Sequence, residues 1–279
     1  MLNLLSQMFQ YPFMIRAFLA GTVIALCASL LGVSLVLKRY SMIGDGLSHV
    51  GFGALALAAA LNAAPLAVCI PVTVIAAFLM LRISRNGRIN GDAVIALIST
   101  GAMAIGVMII SMTDGMNVDV YNYLFGSILS MSASDVYLSI GLSAAVLILF
   151  ILFYHRIFAV TFDENFARAT GTKSEVYNTL IALLTAMVIV LGMRMMGALL
   201  ISSLIVFPAL SAMRICRTFR TVTLNAAVIS VVCLWLGLTC SYLFATPTGA
   251  NIVIMNIAAF LIYSVTGIVS RMGGKTAGR

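Results

Sequence analysis

Charged side chains are scarce in this chain: Asp, Glu, Lys and Arg make up 9% of 279 residues, and only eight of them are acidic. So little charge cannot coat a soluble domain of this length. No GxxxxGK[ST] loop occurs, so any nucleotide-driven work falls to another polypeptide. There is no HExxH and there are no spare carboxylates, which argues against an intramembrane metalloprotease. Cys27, Cys69, Cys216, Cys233 and Cys240 form no CxxC pair and all lie inside apolar runs. They read as small hydrophobes, with thiolate ligation of a metal as the lesser alternative. No solenoid repeat, low-complexity tract or inverted repeat can be traced.

What fills the chain instead is apolar: 62% of residues are hydrophobic, and the mean hydropathy is +1.14. This is an all-α integral membrane protein. A spanning helix needs roughly 20 apolar residues to cross a core about 30 Å thick, so the length suffices for roughly eight to ten spans and leaves nothing for a soluble domain. Residues 1–279 are therefore expected to form a single transmembrane domain. A cleaved signal peptide is not expected, because the first apolar run, Phe13 to Leu37, exceeds a signal core and stops at Lys38 and Arg39.

Nine spans are expected, at about 13–37, 42–61, 65–82, 92–113, 136–155, 176–193, 196–213, 222–245 and 252–270. The net charge of +8 is not arranged as a nucleic-acid face. Lys38 and Arg39; Arg82, Arg85 and Arg88; Arg156, Arg168 and Lys173; Arg214, Arg217 and Arg220; and Arg271, Lys275 and Arg279 fall on alternate connections. By the positive-inside rule these connections and the C-terminus are cytoplasmic and the N-terminus is outside. The opposite connections carry Asn62 to Pro65, Asp114 and Asp119, and the charge-free ATPTGAN from Ala245 to Asn251. Arg194 departs from the tally at an outer end. The stretch Asp119 to Ser134 is too short to span and reads as a re-entrant or surface helix. Small residues recur, as in GDGLSHVGFGALALAAA, and permit close helix contact where lipid offers no hydrophobic drive.

The stretch KRYSMIGDGLSH places Asp45 and His49 at i and i+4, on one helical face with their β-carbons about 5–6 Å apart. Counted from Arg39 at about 1.5 Å per residue, Asp45 lies about 9 Å into the segment and His49 about 15 Å. A charge deep in a bilayer costs about 2.5–3.5 kcal/mol on insertion scales, so it calls for a partner or a water-filled path. A structural reading remains open, with both groups hydrogen-bonded to neighbouring helices. The functional reading is favoured because Asp45 is the one acidic residue placed inside a span and His49 is one of two histidines. Carboxylate plus imidazole suits a borderline divalent cation: zinc takes both, and manganese favours the carboxylate. A second copy facing the first across a two-fold axis would complete a His2Asp2 set. Ser41 and Ser48, on or near the same face, are candidates for supporting hydroxyls. His155, beside Arg156, reads as interfacial, and the scattered methionines read as filler rather than a copper pathway.

The longest polar stretch is VTFDENFARATGTKSEVYN, Val160 to Asn178. Asp163, Glu164 and Asn165 precede a short helix with Phe166, Ala167 and Arg168, and Gly171 would end it. An amphipathic cytoplasmic helix with Phe166 ready to fill a pocket suits docking on a partner. A plain membrane-surface helix is the alternative, disfavoured by the acidic start.

LVLKRYSMIGDGLSH, FDENFARATG, MGALLISSLIVFPALSA and PTGANIVI, in that order, resemble the motifs of the metal-type ABC importer permeases, the membrane subunits of bacterial zinc, manganese and iron uptake systems. The resemblance runs from about Phe13 to Val269. It implies a cobalamin-importer-like helical bundle in the bacterial cytoplasmic membrane, a type II importer permease that pairs with a second copy. Two ATP-binding cassette subunits would sit inside, where ATP acts, and an extracytoplasmic metal-binding protein outside. The transported metal is the only ion implied, with no permanently bound cofactor. The resemblance also implies that Asp45 and His49 line the metal pathway, that Asp163, Glu164, Phe166, Ala167 and Gly171 belong to the ATPase coupling helix, and that Pro208 shapes the pathway. Zinc has a slight lead over manganese. Gly46 departs from the family pattern, since larger residues are also common there, and closer helix packing is expected around it. The rival is a proton-coupled secondary metal transporter using Asp45 or His49 as a relay.

Overall fold

A computed structural model of the chain describes residue 8 and residues 10–85, 90–113 and 133–276. Arg88, Asp114, Arg279 and the 119–132 part of the expected re-entrant segment lie outside the described residues; positions 133 and 134 open a long helix. Eleven helices are described: α1 (Pro12–Leu37), α2 (Ile43–Ala60), α3 (Pro65–Arg85), α4 (Gly91–Met112), α5 (Ala133–Leu152), α6 (Tyr154–Phe162), α7 (Glu164–Ala169), α8 (Ser174–Met196), α9 (Ala198–Ile215), α10 (Phe219–Phe244) and α11 (Thr248–Thr276).

Among the described residues, eight helices are long and apolar enough to cross a membrane. A ninth span results if the pair over Val136–Leu152 and Tyr154–Phe162, bent by 68°, counts as one. The expected span at 136–155 therefore ends early. Phe153 interrupts the helix, and α6 leaves at an angle as a short amphipathic segment with Ile157 and Val160 buried.

Local chemistry explains several helix ends. Pro12 opens α1, where the missing N–H costs nothing. Arg39 takes the left-handed region at φ 61°, and the Tyr40 N–H returns to the Leu35 carbonyl at 2.9 Å, so α1 stops within one residue. Gly197, at φ 87°, separates α8 from α9. A capping box between Thr218 and Thr221 starts α10.

The inner layer is α1, α2, α8 and α9, many of whose buried side chains are small or aliphatic: Ala20, Ile24, Ala28, Leu47, Ile189 and Ile201 are each fully enclosed. The outer helices α4 and α11 are mostly exposed and apolar, with Leu97, Met112, Ile254 and Ile262 all more than half exposed. An apolar outside of this kind is what a bilayer demands. A hydrogen bond from Trp235 Nε1 to Thr22 Oγ1 (2.9 Å) ties α10 to α1.

Candidate metal pathway and cytoplasmic docking element

The site helix α2 is gripped on several sides through its glycines. A Cβ on Gly44 would meet Ile205 of α9 at 3.1 Å, and one on Gly46 would meet Ile95 Cγ2 of α4 at 2.5 Å. A Cβ on Gly53 would lie 2.5 Å from the Ala102 carbonyl oxygen. The neighbours thus close on the backbone of α2, and the face bearing Asp45 and His49 is left partly open. The closer packing expected around Gly46 is found there.

Asp45 Oδ2 and His49 Nε2 lie 3.6 Å apart, with the side chains 50% and 29% exposed respectively. A half-exposed carboxylate in an otherwise apolar helix requires polar surroundings on that face. Asp45 sits in the first turn of α2, where the helix dipole favours negative charge. Because the chain turns through Ser41 and Met42 before α2 begins, the rise along this helix puts Asp45 only about 3 Å, and His49 about 9 Å, beyond Ile43.

Ser202 of α9 is half-buried beside the Asp45 carboxylate, and its hydroxyl donates to the Ala198 carbonyl of its own helix at 3.1 Å. Nothing in the sequence relates these two distant positions; only the packing of α9 on α2 brings them together. Ser48 is buried, and its hydroxyl donates to the Asp45 carbonyl at 2.7 Å, within its own helix. Ser41 lies half-buried in the turn before α2. A carboxylate oxygen and an imidazole nitrogen side by side can hold one divalent cation between them. Among the described residues no group of three or more His, Cys, Asp or Glu converges.

The polar segment folds into α7, six residues long. Asp163 is its N-cap and accepts a hydrogen bond from the Phe166 N–H at 2.9 Å. At the other end Thr170 is the C-cap and Gly171, at φ 83°, follows it, while the Thr172 N–H reaches back to the Ala167 carbonyl at 2.9 Å. Ala167 is buried against the body and Phe166 is 66% exposed. The short helix is thus fixed at both ends with its aromatic side chain outward.

Arg194 lies in the last turn of α8, where a cation complements the helix dipole. Pro208 is buried inside α9, which runs through it as one helix. A proline there leaves the carbonyl one turn earlier without its usual donor. The five cysteines are free thiols, and Cys27 and Cys233 donate to the carbonyls of Ser143 and Met255 on neighbouring helices. His155 is exposed beside Tyr154, away from any ligand set among the described residues.

The chain is a multi-helix membrane bundle with a polar pair on one inner helix and a capped helix at its surface. The chain belongs to the ABC 3 transport family, which matches residues 10–267. It is 26% identical over 257 residues to the manganese transport system membrane protein MntC of Halalkalibacterium halodurans, covering 92% of this chain and 88% of that one. It is 29% identical to the high-affinity zinc uptake system membrane protein ZnuB of Haemophilus influenzae, covering 90% and 97%. Among solved structures, PsaBC from Streptococcus pneumoniae in complex with Fab superposes with a TM-score of 0.83 at 26% identity, over 94% of each chain. The assignment to the metal-type ABC importer permeases holds, and with it the helical fold.

Proposed function

We propose that this chain is the permease of an ATP-driven importer that carries a divalent transition metal across the bacterial cytoplasmic membrane, with zinc preferred over manganese and iron. The observation that carries this reading is the Asp45–His49 pair, 3.6 Å apart and partly open on one face of α2. Relatives named for zinc and for manganese support a divalent cargo. The imidazole in the donor set favours zinc, the more borderline of the two ions.

In this reading two copies of the chain pair, and their facing Asp45 and His49 residues hold the ion transiently in a four-coordinate site. An extracytoplasmic binding protein delivers the ion at the mouth where the N-terminus lies. The permease alternates between outward and inward access, and Pro208 supplies a soft point in α9. Two ATPase subunits bind from the cytoplasm through α7, with Phe166 filling a pocket on the ATPase; Asp163, Glu164, Ala167 and Gly171 fix its posture. The site stabilises the ion enough to admit it and weakly enough to release it, so no permanent metal is required.

The test is uptake of radioactive zinc and manganese into vesicles carrying this chain with its ATPase and binding protein, comparing wild type with Asp45→Asn and His49→Ala. ATP-dependent uptake that is lost in both assembled variants is the expected result, with zinc outcompeting manganese. Uptake unchanged in both would reduce the pair to a structural contact, and uptake driven by a proton gradient without ATP would favour a secondary transporter.

A further inference from the structure

Lys38 and Glu164 belong to different stretches of the chain: Lys38 caps the end of α1, and Glu164 opens α7. Their charged ends meet at 3.8 Å, with the lysine side chain only 10% exposed and the glutamate 31%. Asn178, in the first turns of α8 and 6% exposed, bridges them. Its Oδ1 accepts from Lys38 Nζ, and its Nδ2 donates to Glu164 Oε2 at 3.1 Å. The other carboxylate oxygen of Glu164 accepts from Arg168 at 3.0 Å and from Ser174 at 3.3 Å. Glu164 therefore has both oxygens committed, one to its own helix and the start of α8, the other across to the lysine.

We propose that Lys38, Glu164 and Asn178 form a latch that carries motion of α7 to the metal-binding face of α2, making them positioning residues for ATP-coupled transport. The inference rests on the reading of α7 as the ATPase-docking helix. A largely buried ammonium does not part from its carboxylate cheaply, because their attraction is strong where solvent is scarce. The end of α1 therefore follows α7 when the ATPase moves it. That end is one tight turn from α2, since Arg39 and Tyr40 close α1 with the 2.9 Å bond to Leu35 and α2 starts at Ile43. Lys38 and Asn178 also line one small space with Ile43 itself. Asp45 and His49 stand in the first two turns beyond it, so displacement at α7 reaches the pair through few and stiff connections.

Asn178 suits this role because its amide has a donor end and an acceptor end. Turned over, the same side chain can serve the pair with its charges exchanged. That makes charge exchange a specific test. Complexes of the whole chain with its ATPase and binding protein are reconstituted in liposomes, and zinc uptake and ATP hydrolysis are read from the same sample. Lys38→Met and Glu164→Gln are each expected to lower the zinc taken up per ATP by about fivefold or more, the lower end of ordinary coupling between sites. Lys38→Glu combined with Glu164→Lys is expected to restore part of that ratio, the remainder being lost because a lysine at 164 also faces Arg168. An unchanged ratio in the single variants overturns the latch, as does an exchanged pair no better than the singles. Failure of every variant to assemble also overturns it, since the pair would then serve folding alone. The docking reading is judged separately, by whether Phe166→Asp still co-purifies the ATPase, and it fails if it does.

Discussion

Gly32 of α1 lies against the backbone of Ile205 in α9 so closely that a Cβ there would stand 2.0 Å from the Ile205 carbonyl oxygen. A backbone cannot yield as a side-chain tip does, so Gly32→Ala must push the two helices apart. It is expected to cost about 1–3 kcal/mol, the usual penalty of overpacking. Gly101, whose added Cβ would meet nothing within 4 Å, is the control and should tolerate alanine. Thermal unfolding of the detergent-solubilised protein checks both; an unchanged Tm for Gly32→Ala would mean that the contact is dispensable.

Ser202 and Ser48 flank the Asp45–His49 pair but differ in where they stand. Ser202 reaches the Asp45 side chain from α9 and stays partly open, whereas Ser48 is buried within α2; both hydroxyls donate to carbonyls of their own helices. Ser202→Ala is expected to weaken the apparent affinity for transported metal about two- to tenfold, the range of one ordinary hydrogen bond. Ser48→Ala should shift it less than about twofold. Concentration-dependent uptake measures both, and equal effects would place neither hydroxyl at the ion.

Phe166→Asp replaces an exposed aromatic side chain on α7, so the fold has little to lose. The expected result is a permease that purifies and melts normally yet no longer retains its ATPase in a pull-down.

The two ends of α7 give a graded test of how much its preformed shape matters. Asp163→Ala removes the N-cap bond and is expected to destabilise α7 by about 1 kcal/mol. Gly171→Ala places a side chain at φ 83° and is expected to cost about 1–2 kcal/mol. Amide exchange across residues 164–169 should quicken several-fold in each variant. Slow exchange in both would show that packing of Ala167, rather than the caps, holds the helix.

Much of the architecture is legible in the sequence because a bilayer imposes a simple rule: each spanning segment is a run of apolar residues ended by charge or by a turn. The spans at 13–37, 42–61 and 92–113 fall close to α1, α2 and α4 for that reason. The span at 136–155 is less well read, since hydropathy cannot register the 68° change of direction at Phe153. The Asp45–His49 pairing is legible because helical periodicity alone puts i and i+4 together. Its surroundings are not, because the grip of α9 and α4 on the glycines of α2 is set by how whole helices pack.

The sequence by itself determined the class of protein, the apolar helices, the placement of Asp45 beside His49, and the short helix bounded by Asp163 and Gly171. These depend on local properties: hydropathy, helical spacing and capping. Only the tertiary structure decided that Ser202 stands at the Asp45 carboxylate, that Gly32 meets Ile205, and that Lys38 reaches Glu164 through Asn178. Each of those contacts joins segments far apart in the chain, and where such segments meet is set by how whole helices pack, which no local pattern encodes.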